Sequence, residues 1–195
     1  MHKLLGSYSN YLTSILPLTL ICYFLFFFSL YLGYLFGNHL PAEYLRDLIV
    51  SNLPNSGSMT SLQWFLFFVI NNAGKSLIFL FLGILGGVIP IIFIVFNGFI
   101  TGWTVYLTLE KYDLLVAFVG LAPHGIFEVS AVMITMAMGM NLGYRFINSI
   151  QGRGKILPEI WIALRFFITR LLPMFILAAL IEAYVTPVLL ILARG

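Results

Sequence analysis

The sequence predicts an all-α protein, a polytopic helical membrane bundle of about five transmembrane spans with short interfacial helices. Three observations predict it. The 195 residues are 61% hydrophobic and only 9% charged, with a mean hydropathy of +1.03. A soluble domain averages about 45–50% apolar and about 25% charged residues, so this chain has too few charges to cover a water-facing surface. The apolar runs recur at the length of about 20 residues that one helix needs to cross a bilayer. Glycine, proline and short charged segments punctuate those runs.

The first span is expected over 11–36, which is free of charge and too long for a signal-peptide core. Residues 37–63 form a polar connection. Within it, Pro41 opens PAEYLRDLIV, which reads as a short amphipathic helix on the membrane surface. Ser76 to Leu109 carries no charge, and Gly86, Gly87 and Pro90 break it. A hairpin of spans at 64–85 and 88–109 is therefore expected. The fourth span is expected over 114–140, interrupted at Pro123, with a re-entrant hairpin as the alternative. A polar loop at 141–155 and an interfacial segment at 158–172 should follow, then a fifth span at 172–192. One membrane domain covers 1–195.

The net charge of +3 is carried by residues that flank the spans, so it speaks for topology and not for nucleic acid. Lys3, Arg145, Arg153, Lys155, Arg165 and Arg170 fall on one side of a five-span chain. Arg46, Lys111 and Arg194 fall on the other. The excess predicts a cytoplasmic N-terminus and an outside C-terminus in a cell membrane. The single cysteine, Cys22, excludes an intrachain disulfide.

Lys75, Glu128 and Glu182 lie near the middle of spans, where a charge costs roughly 2.5–3.5 kcal/mol on insertion scales. Asn97 lies near the centre of the third span. Asn71 and Lys75 are four residues apart, as are His124 and Glu128, so each pair shares a helix face; Asn72 is three from Lys75. Asn71, Asn72, Lys75, Asn97, His124, Glu128 and Glu182 should therefore meet at one depth. Lys75 is expected to compensate one or both glutamates in a buried ion pair, with His124 placed to relay a proton. Structural glue between helices is the competing reading. Pro123 and Gly125 mark a helix break, and Gly98 and Gly102 a close approach of helices.

His124 and Glu128 have the spacing of two metal ligands on a helix. His2 and His39 lie elsewhere near the surface, so no closed zinc site, metal or cofactor is expected. H-E-x-x-H, G-x-S-x-G and the P-loop are absent, so no enzyme is expected. Trp64, Trp103 and Trp161 fit interfacial anchoring, with Trp103 somewhat deep for it.

PHGIFE (Pro123–Glu128), followed by Ala131 and the stretch Gly139–Gly143, resembles the stage II sporulation protein M family. So do Asn71-Asn72, Asn97-Gly98 and IEAYVTP (Ile181–Pro187). One departure is Ser130, where the family pattern suggests proline. The resemblance implies a multi-pass membrane protein. In endospore formers it implies a part in engulfment, holding peptidoglycan-remodelling enzymes at the septal membrane. Its relatives extend to organisms that do not sporulate, archaea among them. The functional expectation is accordingly a membrane scaffold or assembly factor with a buried polar site. The alternative is a small ion- or proton-coupled transporter or channel built on the midplane cluster. The expected partners are the lipid bilayer and membrane or cell-envelope proteins, with a homo-oligomer left open.

Overall fold

The computed structural model describes residues 2–45, 47 and 59–193, and it is helical throughout its ordered elements, with no strand among the described residues. Helix α1 spans His2–Phe36 and ends in a 3₁₀ turn at Gly37–His39. Helix α2 runs over Ser61–Leu82, α3 over Val88–Lys111, α4 over Leu114–Ile150 and α5 over Ile156–Ala193. These five helices are the ones long and apolar enough to cross a membrane. Residues 42–45 and 47 are helical, within the expected surface helix at 41–50; its other positions from 46 on lie outside the described residues.

Each boundary has a local cause. A capping box starts α2: the Gln63 N–H donates to Thr60 Oγ1, and the Thr60 N–H donates to Gln63 Oε1 at 2.7 Å. Gly86 and Gly87 take the left-handed conformation, at φ 78° and 77°, and turn α2 into α3 as the Gly-Gly pair predicts. Asp113 caps α4 by accepting from the Val116 N–H at 2.9 Å. Gly152, also at positive φ, lies in the short link between α4 and α5.

Three expectations need correction. Pro123 does not interrupt the fourth span, because α4 runs straight through it for 37 residues. Proline removes one backbone donor, whereas ending the helix inside hydrocarbon would strand several backbone groups without partners. The re-entrant alternative falls with it. Residues 141–150 are helical, so the polar loop shrinks to the link at 151–155. The segment 158–172 is no separate interfacial helix but the first part of the 38-residue α5. At about 1.5 Å per residue, α4 and α5 are each about 55 Å long. That exceeds a hydrocarbon core of about 30 Å, and the α4 C-terminal end and the α5 N-terminal end lie side by side. Arg145 Nε and Glu159 Oε1, 3.9 Å apart and partly exposed, bridge them there.

Helix α4 is the spine of the bundle and packs against the other four helices. Its buried run includes Ala131, Met133, Thr135, Met136, Met138 and Leu142. One core cluster joins α4 to α1 and the first half of α5 through Tyr11, Ile15, Phe166, Leu171 and Phe175. A second joins it to α1 and α3 through Cys22, Phe26 and Ile94. Trp103 is buried in α3, not anchored at an interface.

Helices α1 and α3 approach most closely at glycines. A Cβ on Gly102 would run into the Leu30 carbonyl and the Tyr34 backbone nitrogen, and one on Gly98 into the Phe26 carbonyl. Small residues allow such backbone contact, which is how helices associate without a hydrophobic driving force between them. Gly83 and Gly143 perform the same service between the α2–α3 turn and α4. Gly125 does not belong to this group, because nothing lies within 4 Å of where its Cβ would be.

Gly102→Ala should therefore destabilise the bundle by about 1–3 kcal/mol, the usual cost of overpacking. Gly120→Ala is the control, since its new methyl would meet only Leu190 at an ordinary 3.7 Å. Thermal melts of the detergent-solubilised protein, read by circular dichroism, should drop for Gly102→Ala and hold or rise for Gly120→Ala.

Candidate functional site: a polar cavity within the bundle

Two of the site-bearing helices carry π turns at the positions that matter. Ile70–Gly74 forms a π turn that holds Asn71 and Asn72, with Lys75 opening the next α-helical stretch of α2. Ile181–Val185 forms another, which holds Glu182 in α5. A π turn inserts one residue into the helix and re-aims the side chains after it, and such turns occur often at functional sites. On α4 the geometry is plain α-helix, and His124 and Glu128 share a face by their spacing of four.

The five helices enclose an open-sided cavity of about 1080 Å³. Asn71, Asn72, Lys75, Asn97, His124, Glu128 and Glu182 all line it, as does Gly125. The walls between them are apolar and aromatic, with Phe26, Phe67, Phe79 and Phe93 among them. An apolar chamber with a few convergent polar groups is the usual form of a small-ligand site. Gly98 and Gly102 lie outside the cavity, at the α1–α3 contact, and Pro123 is not part of its lining.

Within the cavity the polar groups are unevenly satisfied. Asn71 Nδ2 donates to Asn72 Oδ1 at 2.8 Å, and Asn97 Nδ2 donates to the Phe93 carbonyl at 2.7 Å. His124 is 9% exposed and its Nδ1 has no hydrogen-bond partner. Glu182 Oε2 is also buried without one. One ligand atom each from His124, Glu128 and Glu182 lies within 4.8 Å of the others. Sequence spacing pairs His124 with Glu128. The third member comes from α5 and is 54 residues further along the chain, so no local pattern could place it.

The expected buried ion pair is absent. Lys75 forms no salt bridge with Glu128 or Glu182, and its side chain is exposed along the cavity wall. The physical reason is positional: Lys75 follows the π turn of α2, while both glutamates gather around His124 on the α4–α5 side. The π turns themselves also escaped the sequence reading, because no residue preference announces them.

A family model described as stage II sporulation protein M matches residues 7–187. The chain is 29% identical over 167 residues to an uncharacterized protein of Methanocaldococcus jannaschii, an alignment covering 80% of this chain and 88% of that relative. No solved structure matches the chain.

The absence of a Lys75–glutamate pair has a measurable consequence. In a double-mutant cycle of Lys75→Met and Glu128→Gln, the coupling energy should stay below about 0.5 kcal/mol, whereas contacting groups couple by about 0.5–3 kcal/mol. The readout is thermal or denaturant unfolding in detergent, and a larger coupling would mean the two side chains meet.

Proposed function

The chain belongs to the stage II sporulation protein M family, and from that premise and its cavity we propose an integral membrane protein that transports a small ion or polar solute. The single observation that carries this reading is the convergence of seven polar side chains from four helices on one cavity. Ionisable side chains inside transmembrane segments are costly and mark substrate paths or proton relays. Glu128 and Glu182 are the coupling groups in this reading. The asparagines and Lys75 meet the solute, and the aromatic wall excludes bulk water. The opposed π turns in α2 and α5 are the elements that repack between open states, since they already interrupt regular hydrogen bonding. The N-terminus faces the cytoplasm and the C-terminus the outside, following the excess of basic residues on the N-terminal side.

A second reading is a membrane scaffold or assembly factor, the role that the sequence resemblance implies, and the contact between the α4 and α5 ends favours it. In that case the extension of α4 and α5 beyond the bilayer, bearing Arg145 and Glu159, is the docking feature, and the cavity polar groups are interhelical contacts.

Reconstitution into proteoliposomes separates the two. With a panel of monovalent and divalent ions and small polar solutes, at least one flux should exceed that of empty liposomes. Glu128→Gln should reduce that flux about tenfold or more while the folded protein remains abundant, because the side chain keeps its shape and loses its charge. No flux for any panel member, together with a lowered melting temperature for Glu128→Gln, would favour the scaffold.

A further inference from the structure

We propose that His124, Glu128 and Glu182 form a binding site for one divalent first-row transition-metal ion, with zinc and manganese the fitting members. The proposal concerns binding and stands apart from transport. Its basis is the mutual approach of three donor atoms from two helices to within 4.8 Å. Ligands bonded to a tetrahedral zinc at about 2.0–2.2 Å sit about 3.3–3.6 Å apart. The three side chains therefore need to close by about an ångström, within reach of rotamer changes in an open cavity.

A second observation points the same way. His124 is 9% exposed, lines the cavity, and presents an Nδ1 that no protein group satisfies. Buried polar atoms almost always have partners, and this imidazole, whose Nδ1 has none, stands beside two carboxylates. Glu182 Oε2 is open in the same way. A single divalent cation serves all three donor groups at once.

Charge and donor chemistry agree. A neutral imidazole and two carboxylates carry −2, which one divalent ion neutralises. Lys75, the other charged group of the cavity, pairs with neither carboxylate and leaves both free to coordinate. One nitrogen and two carboxylate donors suit zinc or manganese. Calcium takes six to eight oxygens and magnesium keeps a near-octahedral oxygen shell, so both should bind poorly. The cavity beyond the three ligands has room for water or solute at an open coordination position, the arrangement of catalytic and transport sites, not of closed structural ones.

The proposal departs from the sequence expectation of no metal. The sequence placed Glu182 at the depth of His124 and Glu128, and the structure sets its carboxylate beside them.

The test uses the full-length protein in detergent, stripped with a chelator and dialysed against limiting ZnCl₂ or MnCl₂. Wild type should retain about one metal per chain by plasma mass spectrometry. Titration of Co²⁺ should give saturable visible absorption from a site containing nitrogen and oxygen donors. His124→Ala, Glu128→Gln and Glu182→Gln should each weaken binding roughly 100-fold, since even the loss of supporting groups typically costs about 10–100-fold. His39→Ala, in the 3₁₀ turn after α1 and outside the cavity lining, should match wild type. Mg²⁺ and Ca²⁺ should not compete at tenfold excess.

If a variant fails to fold, the wild-type cobalt spectrum and a rise in melting temperature with Zn²⁺ over chelator still decide the matter. No retained metal and no cobalt spectrum from wild type overturns the site. So does binding that survives all three substitutions together. Flux without metal binding would sink this inference and leave the proposed function intact; metal binding without flux would do the reverse.

Discussion

Hydrocarbon offers a polar group no partner, and the structure follows from that. Every backbone N–H and C=O in the membrane must be satisfied by the helix that bears it, which is why α4 passes through Pro123 with the loss of one bond instead of breaking. The same constraint acts on side chains. Many serine and threonine hydroxyls bond back to their own helices, as Thr19 does to Ile15 at 3.0 Å and Thr135 to Ala131 at 2.6 Å, while Ser29 bonds across to the Val95 carbonyl of α3. Larger polar groups gather in a cavity the bundle leaves open, where Asn97 also bonds back to the Phe93 carbonyl. The cavity is thus the complement of the packing.

Packing decides where the chamber opens. Along α1 and α3, glycines let backbones touch, and no space remains. On the other side, α4 lies against α1 through a dense run of methionine and alanine, and against α5 through phenylalanine and leucine. Methionine fills irregular gaps well, which suits a central helix that meets four neighbours at different angles. The π turns in α2 and α5 are the price of directing Asn71, Asn72 and Glu182 inward while each helix keeps an apolar outer face.

Much of this was legible in the residues. Hydropathy and length located five spans, the Gly86-Gly87 pair located the tight turn, and the midspan position of the ionisable residues marked where function should be sought. Less legible were the ends of the long helices. Polarity at Asn141 and Arg145 reads as loop, yet α4 continues through both, with Asn141 buried in the bundle and Arg145 facing Glu159 of α5. Polarity at Arg165 and Arg170 reads as a surface helix for the same reason, and those residues belong to α5.

By itself the sequence determined the class and the number of helices long and apolar enough to span, because hydrophobic length is a property of the chain. Only the tertiary structure decided which of the ionisable side chains face one another. Depth leaves the rotation of each helix free, and a π turn changes that rotation partway along. Lys75 therefore lies along the cavity wall without an acidic partner, while Glu182 joins His124 and Glu128 across α4 and α5.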